Sequence, residues 1–187
     1  VRYSADPITA TKCAKARATY LRVHYKHTRE ISRVLKGMTL KRAQLFLKNV
    51  LAYKEAVPLT KHGGGRGRHS QAKQFKTPGD KCFWPQKATK SFLDLLGNLQ
   101  ANCDTKGLNT EEVTVTHANS NQAPNMRRRT YRAHGRIGAY MACPAHIELM
   151  VEEKSTEVAK AEPTEAKVSK KRTAQLRAKK IAVGGGH

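Results

Sequence analysis

The sequence predicts an α+β fold, in which a small antiparallel sheet packs against about three helices, with a long projecting β-hairpin and a basic C-terminal tail. Three observations lead to this prediction. Apolar residues recur at helical spacing in several segments before residue 108. Two alternating segments flank an arginine-rich stretch. From residue 154 onward the chain consists largely of alanine, lysine and glutamate, without a fixed apolar face.

The chain carries far more positive than negative charge. Lys and Arg total 36 against 14 Asp and Glu in 187 residues, a formal net charge of +22. Like charges in a compact state repel one another, so this balance indicates a polyanionic partner. No apolar run approaches the roughly 20 residues of a membrane span, which favours nucleic acid over a membrane. A solvated basic surface is the alternative.

The first strand and the first helix are predicted near the N-terminus. Residues 17–26 alternate, as expected of a strand with one apolar and one basic face. Thr28 is expected to cap a short helix that has Glu30 in its first turn and stops at Gly37. The apolar and the basic face of the strand hold, in turn, Leu21, Val23, Tyr25 and Arg22, His24, Lys26.

Two longer helices are predicted to supply most of the core. The second helix begins at Thr39 and is ended by Pro58, and the third begins near Pro85 and ends near Gly107. Each has an apolar stripe at helical spacing. The stripes are Leu40, Ala43, Leu47, Val50 and Leu51 in the second helix, and Ala88, Phe92, Leu95, Leu96, Leu99 and Cys103 in the third.

A polar, glycine-rich connection joins these two helices. It reads LTKHGGGRGRHSQAKQFKTPGDKCF, residues 59–83. Its glycines are not followed by the lysine and hydroxyl residue of a nucleotide-binding P-loop. We therefore expect a flexible basic loop that is too polar to pack and is ordered chiefly by its partner.

A long β-hairpin is predicted over residues 112–151. Val113 and Val115 face a returning strand that carries Ile147, Leu149 and Val151, so the base of the hairpin is apolar. The distal arms are polar or arginine-rich and cannot be held by apolar burial. We therefore expect the hairpin to project from the domain.

The chain is predicted to divide into residues 1–153, the globular domain with its hairpin, and residues 154–187, a tail that is disordered or partly helical. No secretory signal is expected at the N-terminus. The four cysteines form no closely spaced pair, which argues against a zinc site and favours small buried side chains in a reducing compartment. No cofactor and no metal are expected.

The arginine-rich stretch between the two alternating segments is the strongest functional signal. No acidic residue occurs from position 113 to position 147. Guanidinium groups donate two hydrogen bonds to a phosphate and stack on bases, and aromatic rings between them offer flat surfaces to unstacked bases. A nuclear-localisation patch is the alternative interpretation. The predicted nucleic-acid contacts are Arg127, Arg128, Arg129, Tyr131, Arg132, His134 and Arg136.

Three segments resemble one known family. They are LRVHYKHTREISRVLKGMTLKRAQLFLKNVL, WPQKATKSFLDLLGNLQANCDTKGL and NQAPNMRRRTYRAHGRIGAYMACPAHIEL, which occur in that order. They resemble the universal L twenty-two family of large-subunit ribosomal proteins, in its eukaryotic L seventeen form. The resemblance covers residues 2–153.

The resemblance implies a structural ribosomal constituent rather than an enzyme. Such a protein binds large-subunit rRNA, supports assembly of a 60S-type subunit and contacts neighbouring ribosomal proteins. Its hairpin tip lines the nascent-polypeptide exit tunnel and so meets the nascent chain. The implied location is the cytoplasm, after assembly in the nucleolus. Beyond the tip, the expected RNA contacts are Arg17, Arg22, Lys26, Arg66, Arg68 and Lys73.

Two other classes of function remain as alternatives. An RNA-processing enzyme would use His117, His134 or His146 with Glu148 as acid–base groups, but these need to converge on one phosphate. A histone-like DNA architectural protein fits the charge but not the long polar hairpin.

Overall fold

The computed structural model describes residues 3–75, 79–153 and 169–183. The chain divides into two compact units, Val1–Ser155 and Thr156–His187. In the second unit, the described residues contain helix α4, Lys170–Val183. The elements of the first unit are β1 Cys13–Leu21, α1 Tyr25–Leu35, α2 Leu40–Leu51, β2 Val57–Pro58, a 3-10 helix Ser70–Phe75, β3 Cys82–Phe83, α3 Gln86–Thr105, β4 Val113–Gln122, β5 Met126–Tyr131, a 3-10 turn Ala133–Gly135, β6 Ile137–Ala142 and β7 Ala145–Glu153.

The predicted α+β class is confirmed. A three-stranded antiparallel sheet has the order β1-β7-β4, and helices α1, α2 and α3 pack against it and one another. The central strand, β7, buries Ile147, Leu149 and Val151 on the helical side. On β7 the alternate positions Glu148 and Glu152 therefore point to the opposite face of the sheet.

The first strand differs from the prediction. It spans Cys13–Leu21 rather than residues 17–26, because pairing with β7 places the small side chains of Ala14 and Ala16 in the core. The apparent alternation after Leu21 belongs to a tight turn, in which the Val23 N–H donates to the Leu21 carbonyl at 2.7 Å, and to the first residues of α1. Short side chains give a weak hydrophobic signal, so the sequence pattern favoured the wrong residues.

Helix α1 begins earlier than predicted. Its N-cap is His24, whose Nδ1 accepts from the Lys26 N–H, and not Thr28, which is buried inside the helix. Glu30 consequently lies beyond the first turn and is also buried. The helix ends at Leu35, just before Gly37, whose φ of 90° suits glycine.

The other two helices agree better with their sequence patterns. Thr39 caps α2 as predicted, but the helix ends at Leu51 and Pro58 instead lies in β2. Helix α3 follows Pro85, and Gly107 has the positive φ of a helix end, 67°. All six residues of its predicted apolar stripe are buried.

The prediction that residues 59–83 are too polar to pack is wrong for the described part, which excludes residues 76–78. Strands β2 and β3 pair, and a small cluster of Ala56, Ala72 and Cys82 is buried beside them. The connection is also held by the buried carboxylate of Glu30, which accepts hydrogen bonds from the backbone N–H groups of residues 60–62. In this segment, a polar sequence therefore goes with a backbone that is held by hydrogen bonds, and not with an absence of structure.

The hairpin is built in two parts. Its base, β4 with β7, belongs to the three-stranded sheet, whereas β5 and β6 form a separate two-stranded sheet, here called the ribbon (residues 126–142). Pro124 and Pro144 lie at the interruption, where a missing N–H breaks the ladder. The Ala123 N–H still donates to the Pro144 carbonyl at 3.0 Å, so the two arms stay together across the break.

Candidate nucleic-acid interface

The ribbon places its side chains on two faces, because paired residues of adjacent strands lie on the same side. One face carries Arg127 and Arg129 opposite Met141 and Ala139, and ends at Tyr131 opposite Ile137. None of the ribbon residues is buried, and Tyr131 is 76% exposed. A polypeptide ribbon with so little self-burial requires a partner to cover it.

The opposite face carries Arg128, whose guanidinium lies 4.8 Å from the centre of the Tyr140 ring. Arg128 pairs across the ribbon with Tyr140, and Thr130 pairs with Gly138. A stacked guanidinium keeps its donors free at the edge while its plane is held in place. This face is therefore preorganised to bind a phosphate.

A tight turn closes the ribbon. The Arg132 N–H donates to the Arg136 carbonyl at 2.8 Å, and His134 and Gly135 both have positive φ, 60° and 68°. The left-handed backbone leaves the His134 and Arg136 side chains exposed around the bend. Among the described residues, none of the ion pairs involves an arginine of the ribbon or its turn.

A pocket of about 460 Å³ lies at the foot of the ribbon. Here the structure brings Arg22, predicted as an RNA contact, together with Arg128 and with Lys87 of the first turn of α3. The Tyr25 N–H at the start of α1 donates to the Cys143 carbonyl at 3.2 Å and fastens the ribbon to the domain. Three cations from three separate segments thus converge on one concave surface.

A second cationic pocket, of about 360 Å³, brings together Lys26 and Arg66 with Lys61. Phe83 forms its aromatic wall, with the Arg66 guanidinium 5.2 Å and the His27 ring 5.1 Å from the ring centre. Burial lowers the pKa of His27, and the neighbouring His24 and Arg66 lower it further. His27 is therefore neutral at pH 7 and adds no repulsion to the three cations.

The remaining predicted contacts are not brought together with these groups. Arg17 lies on the outer face of the sheet, where its Nε is 3.5 Å from a carboxylate oxygen of Glu148. Arg68 pairs with Lys81 in an isolated bridge, and Lys73 is exposed on the 3-10 helix. Their roles as RNA contacts stay predictions.

Sequence reasoning missed Lys87 and Lys61. Lys87 could have been found from the sequence. A cation in the first turn of a helix is unfavourable next to the positive end of the helix dipole, so its presence there indicates a bound anion. Lys61 had no comparable signal, since its position depends on the fold of the 59–83 connection.

The acid–base groups of the enzyme alternative meet only in part. The Ser4 hydroxyl donates to Glu148 at 2.6 Å and lies 3.1 Å from Nε2 of His117. His146 accepts from the Tyr20 N–H through Nδ1, and His134 lies on the ribbon turn. Burial raises the pKa of Glu148, but hydrogen bonds from Ser4 and the charges of Arg17 and His117 lower it more. The contacts of Ser4 with Glu148 and His117 hold the N-terminal segment against the sheet.

Two further kinds of feature are absent from residues 3–75, 79–153 and 169–183. No helix in these ranges combines the length and the apolar character needed to cross a membrane. No cluster of three or more His, Cys, Asp or Glu side chains in them is arranged to hold a metal ion.

Comparison with known proteins decides the family. A sequence model described as ribosomal protein L22p/L17e matches residues 16–152. The chain belongs to the L22p/L17e family of ribosomal proteins. This match confirms the resemblance identified from the sequence. As a member of this family, the chain is a structural ribosomal protein and not an enzyme.

Relatives in the L22p/L17e family match this chain over nearly its full length. Large ribosomal subunit protein uL22A of Schizosaccharomyces pombe is 48% identical over 177 residues, covering 95% of this chain and 94% of the relative. Protein uL22 of Phlebotomus papatasi is 49% identical over 172 residues, covering 90% and 91%. Protein uL22 of Suberites domuncula is 43% identical over 187 residues, covering 99% and 98%.

Proposed function

We propose that this chain is a constituent of the large ribosomal subunit that binds its rRNA through the ribbon and the two cationic pockets. One observation carries the proposal: the ribbon is exposed on both faces and lies within an acid-free stretch of sequence. Phosphates would neutralise its arginines, and folded RNA would supply the contacts that the domain does not.

The proposal includes a role in subunit assembly. The sheet and helices form a core that needs no partner, whereas the ribbon needs one. RNA can contact the whole ribbon only when the RNA helices are in their final positions. The full binding energy is therefore gained only in the folded RNA. The protein therefore favours the folded state of the RNA, in the cytoplasmic subunit and, for a eukaryotic chain, during its nucleolar assembly.

The ribbon turn is proposed to line the nascent-polypeptide exit tunnel. Tyr131, Arg132, His134 and Arg136 are all exposed at this end, far along the chain from the core strands. Their mixture of cations and flat rings suits both an RNA wall and a passing peptide. Names of relatives support a place in the large subunit.

Sedimentation tests the subunit assignment. A lysate is run on a sucrose gradient with magnesium at moderate and then at high salt, and this chain is detected in the fractions. We expect migration with the large subunit at both salt concentrations, since a ribbon enclosed in RNA cannot leave without unfolding its surroundings. Release at high salt or migration in lighter fractions would contradict the proposal.

The tunnel assignment needs a separate measurement. A photoreactive side chain at Tyr131 in intact ribosomes that carry a stalled nascent chain should cross-link to that chain. The same group at Tyr53, which is exposed on the globular domain after α2, is the matched control and should not. Equal yields at the two positions would refute the tunnel position of the turn.

A further inference from the structure

The pocket at the foot of the ribbon is lined by both cationic and apolar side chains, and a bound phosphate alone would account only for the cations. Its cations are Arg22, Lys87 and Arg128, while Val23, Met126 and Ala142 supply the apolar wall. The lining contains no carboxylate. A volume of about 460 Å³ lies within the range of small-molecule sites, and most phosphate contacts on a protein surface need no cavity.

We infer that this pocket holds a single unstacked nucleotide of the large-subunit rRNA, with its base in the apolar slot and its phosphate on the cations. The inference rests on the proposed function and names the ligand of one site within it. Bases in an RNA helix are stacked and inaccessible, so only a nucleotide turned out of a loop or bulge can fill such a slot.

The apolar wall suits a base rather than a sugar or an ion. Methionine side chains are flexible and polarizable, so they fit closely against a flat aromatic face. Met126 and Ala142 are paired across the ribbon on the same face as Arg128, and both line the pocket together with Val23. Stacking of a base on a side chain is sequence-tolerant because every base has a flat face, so the pocket need not read base identity.

The cationic rim is held in place by the fold. The Arg128 guanidinium is stacked on Tyr140 at 4.8 Å, Lys87 is fixed on the first turn of α3, and Arg22 lies in the turn between β1 and α1. The bond from the Tyr25 N–H to the Cys143 carbonyl keeps these segments together. A bound nucleotide therefore also sets the angle at which the ribbon leaves the domain.

The four methionines of the chain offer a direct test. Met126 lines the pocket on the Arg128 face of the ribbon, whereas Met141 lies on the other face, Met150 is in the sheet and Met38 packs against the main core. In the full chain labelled with ¹³C at its methionine methyls, a nucleoside monophosphate should shift the Met126 signal saturably. Met38 and Met150 should stay fixed and report that the domain is folded.

Variants separate the two parts of the site. Ala142→Trp fills the pocket without changing its charge and should abolish the saturable shift. Lys87→Gln should weaken nucleoside monophosphate binding about threefold, the effect of one partly exposed ion pair. Lys90→Gln, an equal loss of charge at an exposed position of the same helix, should leave it unchanged.

Three outcomes would overturn the inference. If inorganic phosphate reproduces the methyl shift, the site is only a phosphate contact. If an acidic peptide moves the Met126 methyl as far as the nucleotide does, the occupant is a protein. An unshifted Met126 methyl in a folded chain would leave no nucleotide site. Because each can occur while the chain still sediments with the large subunit, failure here is distinguishable from failure of the proposed function.

Discussion

At the scale of single residues, Glu30 shows how a buried charge organises a cationic surface. Its Oε1 accepts from the Lys61 and His62 N–H groups at 3.1 and 3.2 Å, and its Oε2 accepts from the Thr60 N–H and hydroxyl at 3.2 and 2.8 Å. Arg29 adds an ion pair at 2.9 Å. This carboxylate fixes the backbone of residues 60–62. It thereby helps to place the Lys61 side chain in the second pocket, which Arg66 also lines.

Replacing Glu30 by glutamine should destabilise the domain. One carboxylate oxygen becomes an NH₂ group that faces two donors, so Glu30→Gln should cost about 1–3 kcal/mol of unfolding free energy. Urea denaturation measures the loss, and amide exchange of residues 60–62 should accelerate with it. Glu111→Gln, at an exposed carboxylate paired with Lys41, is the control and should leave the unfolding free energy nearly unchanged. Equal losses in both variants would contradict the anchoring role.

Acid should weaken the fold through three carboxylates. Burial raises the pKa of Glu30 and Glu148, but their hydrogen bonds outweigh it, and the Arg42 hydrogen bond lowers the pKa of Glu55, so all three lie below the ordinary 4.5. The unfolded chain therefore binds protons first as pH falls. The stability that these groups contribute is complete above about pH 4.5 and is lost as pH falls through their folded pKa values.

This pH dependence can be measured by urea denaturation between neutral pH and about pH 3. The unfolding free energy should fall over this interval in the wild type. Glu148→Gln should give a shallower fall, because it removes one of the three groups. A wild-type profile that stays flat below pH 4.5 would show that these carboxylates have unperturbed pKa values.

At the scale of secondary-structure elements, the ribbon and the sheet are energetically distinct. Strands β5 and β6 pair with each other, and none of their residues is buried, whereas β4 and β7 share the main core. An element that buries no side chain contributes little to the stability of the domain. Its residues are available for binding because the fold does not use them.

Excising the distal ribbon should therefore leave the domain intact. Residues 128–140 can be replaced by an Asn-Gly turn that joins Arg127 to Met141, which are already paired. The melting temperature should stay within about 4 °C of the wild type, while incorporation into large subunits should fall. Circular dichroism and gradient sedimentation measure the two effects. A melted domain would show that the ribbon is part of the folding unit.

The first strand shows the limit of pattern reading at this scale. Alternation predicted residues 17–26, but β1 is Cys13–Leu21, because its register against β7 decides which small residues are buried. The α3 stripe, by contrast, was predicted correctly residue for residue. Large apolar side chains at helical spacing carry their own signal, whereas alanines in a strand acquire a burial state only from their partner.

At the scale of the whole molecule, the net charge of +22 makes RNA binding steeply dependent on salt. A protein with several phosphate contacts should lose roughly 10³-fold or more in affinity for an rRNA fragment as salt rises from about 50 to 200 mM. Changing Arg127 and Arg129 together to glutamine should reduce the slope of log affinity against log salt by about one unit per lost contact.

Filter binding at several salt concentrations measures this slope. The matched control changes two exposed lysines, Lys48 and Lys90, which lie outside the ribbon and both pockets, so the net charge falls equally. If the control lowers the slope as much as the ribbon variant, binding is set by total charge and not by the ribbon. Duplex DNA that competes as well as rRNA would favour an architectural DNA-binding function instead.

The sequence by itself determined the fold class, two of the three helices in the sheet domain, the hairpin and its arginine-rich end. These features depend on local periodicity and composition, which a single chain displays without its partners in space. Family membership, too, could be inferred from three motifs and was confirmed by comparison. The tertiary structure alone decided the register of β1, the anchoring of residues 59–83 by Glu30, and the meeting of Arg22, Lys87 and Arg128 at one pocket. Those features join segments distant in sequence, and only packing of the sheet and helices determines which side chains become neighbours.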